Sequence, residues 1–297
     1  MSHQNITYTG TPSSTTHTIW VIDGERVFCR DGKPYAFDHI EIGIDGLIDG
    51  LDDGLDDTLG VVELLHFRYD DRRVFAIDYQ KMVEPHPTKP NHLDHLNGEF
   101  IAYRHAVAAT DSHTAHEISA GIQLLLWQKG NQFCGYCGTK TVRHHKENTM
   151  ACPACHQHFY PKIQPCVIIA ITRPCPVTGQ LQILLAQHHR HQATGMYGLI
   201  AGFMEVGESA EMTIHREVLE ETGIHVNNIR YIKSQAWPYP TNLMLGFCAT
   251  YKSGNIVIDE DELSHAQFFG KDDLPLIPKQ GTIAYELISQ VLGLNEC

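Results

Sequence analysis

Between Gly202 and Ile224 the chain reads GFMEVGESAEMTIHREVLEETGI. Ser209 suits a helix N-cap, and Gly223 suits the C′ position that ends a helix. The spacing therefore predicts a helix near Ser209–Thr222. On it Glu217, Glu220 and Glu221 fall at i, i+3 and i+4 and share one face. Like charges so placed repel unless something positive sits among them. Clustered hard oxygens suit Mg²⁺ or Mn²⁺, which keep waters and bridge to phosphate oxygens; a solvated acidic face is the plainer alternative. Arg216 can pair with Glu208 or orient a metal-bound carboxylate. Gly202 and Gly207 permit unusual dihedrals and close backbone approach.

These residues together resemble the Nudix box, G-x5-E-x7-R-E-U-x-E-E-x-G-U with U aliphatic. Gly202, Glu208, Arg216, Glu217, Val218, Glu220, Glu221, Gly223 and Ile224 meet every fixed position. The resemblance implies a Nudix fold, an α+β mixed sheet packed between helices. It also implies hydrolysis of a nucleoside diphosphate linked to a second group. The expected metal ligands are Glu217 and Glu221, with Glu220 beside them and Arg216 and Glu208 completing the catalytic set. The cations would neutralise the diphosphate and activate water.

Upstream, Cys134-Gly-Tyr-Cys137 and Cys152-Pro-Ala-Cys155 are separated by a gap of 14 residues. Two such pairs can place four thiolates in a tetrahedron around one Zn²⁺. Gly135 and Gly138 ease the tight backbone. Four thiolates leave no open position, so the zinc is expected to be structural. Cys29, Cys166, Cys175, Cys248 and Cys297 read as plain thiols.

Downstream lies Ser234-Gln-Ala-Trp-Pro-Tyr-Pro-Thr-Asn242. Prolines between aromatics make a stiff loop with flat faces, fit to stack a base or a nicotinamide ring; a packed loop around a core Trp is the alternative. After a Nudix box it resembles the S-Q-P-W-P-F-P-x-S signature of the NADH pyrophosphatases, the NudC group, with Ala236, Tyr239 and Asn242 departing from the pattern. The zinc ribbon is shared with that group, and the resemblance covers roughly residues 98–292. It implies substrate contacts from Gln235, Ala236, Trp237, Pro238, Tyr239, Pro240, Thr241 and Asn242. It adds Arg104, Glu147, Tyr160 and Ala284 as substrate-binding positions. Glu262 would be an extra metal carboxylate, and Ala201 would offer its backbone carbonyl. The implied reaction splits NAD(H) into nicotinamide mononucleotide and AMP, extending to NAD caps on RNA 5′ ends. The group forms homodimers, so a homodimer is expected.

The 297 residues are 42% hydrophobic and 19% charged, which is ordinary globular composition. Three regions are expected: an N-terminal mixed α/β domain over 1–128, a zinc ribbon over 129–162 and a Nudix domain over 163–297. The first shows strand-like stretches at Thr18–Ile22, Val61–Tyr69 and Arg73–Asp78, then helical stretches at Gly98–Ala109 and His116–Gln128. The Asp-Gly-Leu repeats of Asp45–Asp57 lack EF-hand spacing and read as a solvated insertion. Later strands are expected at 165–173, 181–187, 229–234, 243–251 and 266–269, with a last helix near Thr282–Leu292. The histidines of Gln187-His-His-Arg-His191 are read as neighbours of phosphate or surface groups rather than metal ligands.

The formal net charge of −13 argues against bulk binding to nucleic acid or to an anionic membrane. MSHQNITYTG has no basic start and no apolar stretch, so no secretory signal is expected and the cytoplasm is the expected compartment. Two other functions compete: a Nudix hydrolase acting on ADP-ribose, kept open by Ala236 and Asn242, and a nucleic-acid-binding regulator on a retired Nudix fold. The intact box carboxylates and the negative charge weigh against the regulator.

Overall fold

The structure, a computed structural model, describes residues 16–38, 60–65, 72–83, 93, 96–144 and 147–294. The chain divides into two compact units, Met1–Ala106 with His113–Pro161 and Val107–Ser112 with Lys162–Cys297. The acidic Asp45–Asp57 segment and Cys297 lie outside the described residues.

The first unit contains β1 (Thr16–Asp23), β2 (Arg26–Arg30), β3 (Lys33–Pro34), β4 (Val61–Glu63), β5 (Arg72–Asp78) and β6 (Gly98–Ala102). They form one sheet in the order β3-β2-β1-β5-β4, with β6 also on β2. β1 and β5 run parallel. Ile19, Val21, Phe28, Phe75 and Ile77 fill its core. The Ser112–Gly130 helix is tied to the sheet through Glu117. That carboxylate is fully buried, yet it accepts from Trp20 Nε1 at 3.0 Å and from Arg72 Nη1 at 2.6 Å. A charge buried there is tolerable because it is paired and hydrogen-bonded.

One expectation is corrected in this unit. Residues 98–109 are not one helix: Gly98–Ala102 is a strand paired with β2, and only Tyr103–Ala106 turns into an α-helix before the Val107–Ala109 3₁₀ turn. Phe100 meets the edge of Phe28 across the strands at 5.5 Å, so pairing outweighs helical spacing here.

Still in this unit, β7 (Val142–Arg143), β8 (Met150–Ala151) and β9 (His158–Phe159) make a small antiparallel sheet around the cysteine pairs.

The second unit is built on β10 (Gln164–Pro174), β11 (Leu181–His188), β12 (Ile200–Phe203), β13 (His225–Trp237), β14 (Asn242–Ser253) and β15 (Leu263–Phe269). The sheet order is β13-β14-β10-β11-β15, with β12 also on β10. β10 and β14 are parallel, and the remaining pairs are antiparallel. The near-continuous apolar run of β10 is explained by burial on both faces. Side chains alternate along a strand. Val167, Ile169 and Ile171 pack with Ile214 and Val218 of the Ala210–Thr222 helix. Cys166, Ile168 and Ala170 pack with Ile283, Leu287 and Ile288 of the Ile283–Leu292 helix. The mixed sheet therefore lies between two helices, as a Nudix fold requires.

Ile214 is fully buried beneath the sheet. Ile214→Ala is expected to destabilise this unit by about 2–5 kcal/mol, read from urea unfolding followed by circular dichroism.

Candidate active site and metal centres

The four ribbon thiols meet. Cys134 Sγ lies 3.5 Å from Cys155 Sγ, Cys137 Sγ lies 3.5 Å from Cys152 Sγ, and Cys137 Sγ lies 3.6 Å from Cys155 Sγ. Four sulfurs at about 2.3 Å from one Zn²⁺ would stand roughly 3.8 Å apart, so the set fits a closed tetrahedral zinc site. Each pair is a hydrogen-bonded knuckle of the same form. Cys134 N donates to Thr139 O and Gly138 N to Cys134 O; Cys152 N donates to Gln157 O and His156 N to Cys152 O. The fourth residue after each leading cysteine takes a left-handed conformation, φ 74° at Gly138 and 59° at His156. Of the two glycines expected to ease the turn, Gly138 alone has a positive φ.

In the second unit the Ala210–Thr222 helix begins at Ser209, whose hydroxyl accepts from Met212 N, and ends at Gly223 with φ 69°. Arg216 organises the carboxylates around it. Its Nε and Nη2 grip Glu208 at 2.7 and 2.8 Å, and its Nη1 donates to Glu217 at 2.7 Å and to Glu220 at 3.1 Å. Nη2 also reaches the Phe203 carbonyl at 3.0 Å, tying the helix to β12. The Arg216 fork, with the Glu205 N–H and the Thr213 hydroxyl, holds the Glu208 carboxyl down to about 2.

The three box glutamates occupy different surroundings. Glu220 is exposed at 58% of its side chain. Glu217 lies against Gly202, where an added Cβ would sit 1.9 Å from its carboxyl carbon. Burial raises its pKa, with Arg216 opposing. Glu221 is 3% exposed, and its Oε2 has no hydrogen-bond partner. Burial first, and then the charges of Glu262 and Glu217, push its pKa up to about 8.

Glu262 reaches this place through a loop docked on the end of the helix. Val257 N donates to Thr222 O, Asp259 N to Glu221 O, and Glu262 N to Asp259 O. Ligand atoms of His188, Glu221 and Glu262 all lie within 4.8 Å of one another. A buried carboxylate with one oxygen unpaired, gathered with two further donors, fits a divalent cation. Burial, helped by Arg190 and His191, pushes His188 down to about 4, so its imidazole is neutral at pH 7. The histidines of 187–191 are expected from the sequence in phosphate-neighbouring or surface roles rather than in a metal cluster; the structure instead gathers His188, at the end of β11, with two carboxylates. Arg190 also bears on Glu221, lowering its pKa.

The Gln235–Asn242 tract is the end of β13, a turn and the start of β14, with Trp237 paired to Asn242. The Trp237 and Tyr239 rings are 5.3 Å apart at 52°. Gln235 Nε2 donates to Gly281 O at 2.8 Å and its Oε1 accepts from Ile283 N at 2.7 Å, joining this tract to the turn that carries Ala284. Asn242 is buried with Oδ1 unpartnered. Ala236 pairs with Leu243, Pro238 is buried, and Pro240 and Thr241 complete the turn. Thr241 Oγ1 donates to Gln164 Oε1 at 3.4 Å. Ala201 lies on β12 opposite Ile168, beside Gly202. In the first unit, Tyr160 donates to Glu147 Oε2 at 3.1 Å and Arg104 lies on the short Tyr103–Ala106 helix.

Residues 164–291 match the NUDIX domain, and residues 130–160 match the NADH pyrophosphatase zinc ribbon domain. The chain thus carries a NUDIX domain behind a zinc ribbon of the NADH pyrophosphatase type. A structural zinc and a divalent cation go with these two domains. Among curated proteins, the NAD-capped RNA hydrolase NudC of Escherichia coli strain K12 is 45% identical over 174 residues, 59% of this chain and 65% of that protein. The protein of that name from Salmonella agona strain SL483 is 47% identical over the same shares. The match therefore spans 65% of the length of these relatives. Among solved structures, a NUDIX hydrolase from Nitrosomonas europaea is 22% identical, covering 56% of this chain and 92% of that one with a TM-score of 0.45.

Two expectations follow from the geometry. The atom that blocks a Cβ at Gly202 belongs to a flexible side chain, so Gly202→Ala should displace the Glu217 carboxylate while leaving thermal unfolding nearly unchanged and cation-dependent hydrolysis impaired. Protons compete with the cation for Glu221, whose folded-state pKa is near 8. Mn²⁺ affinity should therefore rise as pH increases from 6 through 8, with protons released on binding below pH 8, as titration calorimetry in buffers of different ionisation enthalpy would record.

Proposed function

We propose that this chain hydrolyses the diphosphate bond of NAD(H), giving nicotinamide mononucleotide and AMP, and that it removes NAD caps from RNA 5′ ends. The observation that carries the reading is the buried Glu221 carboxylate, one oxygen of it unpaired, gathered with Glu262 and His188. The similarity to NAD-capped RNA hydrolases across both ribbon and Nudix domain supports the choice of substrate.

The proposed cation is Mg²⁺ or Mn²⁺, which when bound neutralises the diphosphate and favours ionisation of a water. The protein supplies the rest. Glu221 and Glu262 present oxygens to the cation, and Arg216 fixes Glu217 beside Gly202 through a guanidinium already anchored on Glu208. A carboxylate of this group accepts the water's proton. Attack on phosphorus breaks the bridging P–O bond, and the departing phosphate oxygen stays on the nucleotide. Trp237 and Tyr239 offer faces for the nicotinamide or adenine ring, and Gln235 holds that tract against the turn bearing Ala284. Glu147 and Tyr160 are proposed to contact the substrate as a hydrogen-bonded pair, with Arg104 as a further substrate contact. A homodimer in the cytoplasm belongs to the same reading; among the described residues no helix is long and apolar enough to cross a membrane.

Purified protein should release AMP from NADH only with a divalent cation present, and Glu221→Gln should lower kcat by at least about a hundredfold. A panel of NADH, NAD, ADP-ribose and NAD-capped RNA, read by chromatography, tests the substrate. Preference for ADP-ribose would move the chain to the alternative reading that Ala236 and Asn242 keep in play.

A further inference from the structure

We propose that His188 is a nitrogen ligand of the divalent cation held by Glu221 and Glu262, and that it tilts the site from magnesium toward manganese. The inference rests on the cation site read above and names a donor outside the box.

The placement is built into the strand pairing. β11 and β15 are in regular antiparallel register from Ile183 opposite Phe269 to Gln187 opposite His265. The next pair is His188 with Leu263, so Ser264 is an extra residue on β15. Such a bulge bends the strand and re-aims side chains. The Ser264 hydroxyl closes the irregularity by reaching the Gln187 carbonyl at 3.0 Å and its side-chain oxygen at 3.1 Å. One residue beyond the bulge, the backbone of His189 donates to the Glu262 carbonyl at 3.2 Å. His188 and Glu262 are therefore held side by side by main chain, not by chance rotamers.

An imidazole presents a nitrogen lone pair to a metal, and the main-chain anchoring of this strand end limits where the ring can lie. Donors at about 2.1–2.2 Å from one ion stand up to roughly 4.4 Å apart. Adjacent donors on one ion stand closer than opposite ones, so His188, Glu221 and Glu262, with ligand atoms within 4.8 Å of one another, come onto one ion by a modest side-chain contraction. Magnesium takes oxygen ligands almost exclusively. An imidazole in the set favours a first-row transition ion.

The test uses the full-length, zinc-replete protein with Mn²⁺ as the probe. Pulsed electron paramagnetic resonance should show ¹⁴N modulation from a directly bound imidazole in the native protein and none in His188→Gln. The same variant should bind Mn²⁺ at least about tenfold more weakly, while its Mg²⁺ affinity changes far less. His188→Ala, with circular dichroism and melting temperature checked, guards against a folding effect of the amide. Bound Mn²⁺ without ¹⁴N modulation, or modulation that survives both variants, overturns the ligand assignment and leaves the carboxylate site standing. Mn²⁺ binding unaffected by Glu221→Gln overturns the carboxylate site as well.

Discussion

A carboxylate buried at 3% exposure with one oxygen unpaired is costly, and the second unit is arranged around that cost at Glu221. The obvious neutraliser, Arg216, does not reach it. Its five N–H groups are engaged by Glu208, Glu217, Glu220 and the Phe203 carbonyl. Without an ion, Glu221 stays protonated to about pH 8. Above that it is an uncompensated charge, so the apoprotein's stability declines as pH rises from the ordinary carboxylate range through 8. A bound cation removes the penalty and takes the place of the proton. Instability of the empty site and affinity for the cation are thus one quantity seen from two sides.

Arg216 keeps the site from collapsing on itself. Three glutamates within one helical turn would repel. The guanidinium draws two of them and Glu208 to one side, leaving Glu221 to face Glu262 and His188. Gly202 completes the separation by leaving room on β12 for the Glu217 carboxylate. The glycine is thus needed there for close approach, whereas Gly207, with φ 94°, is needed for its backbone conformation.

Much of this was legible in the sequence because its spacing is local. A helix period fixes which glutamates neighbour one another, and Ser209 and Gly223 mark that helix's ends to the residue. The two-sided burial of β10 is visible in its unbroken aliphatic run. Long-range pairing is not visible in the same way. Gly98–Ala102 has an apolar spacing compatible with a helix, and only β2 beside it makes it a strand. The Ile200–Phe203 strand is absent from the expected strands because its pairing with β10 has no local signature. β13 extends beyond the expected 229–234 to His225–Trp237 through register shifts that break its alternation. His188 escaped for a related reason: a bulge of one residue on a partner strand decides its direction, and no pattern around His188 encodes Ser264.

The ribbon solves a different problem with the same chemistry. Its three strands are two residues each, too short to bury a core. Cys134 and Cys152 are buried while Phe133 and Tyr136 are exposed, so the interior of the knuckles is sulfur rather than hydrocarbon. Four thiolates packed this closely repel unless a cation sits among them, as the glutamates do on the helix. In both places the sequence concentrates one sign of charge beyond what packing tolerates, and the ion is what makes the local fold consistent. The difference lies in closure: the sulfurs fill a tetrahedron and leave no position open, whereas two carboxylates and one imidazole leave positions for water and phosphate oxygens. That difference in open positions, rather than the kind of metal, separates a centre that holds a fold from one that can act on a substrate.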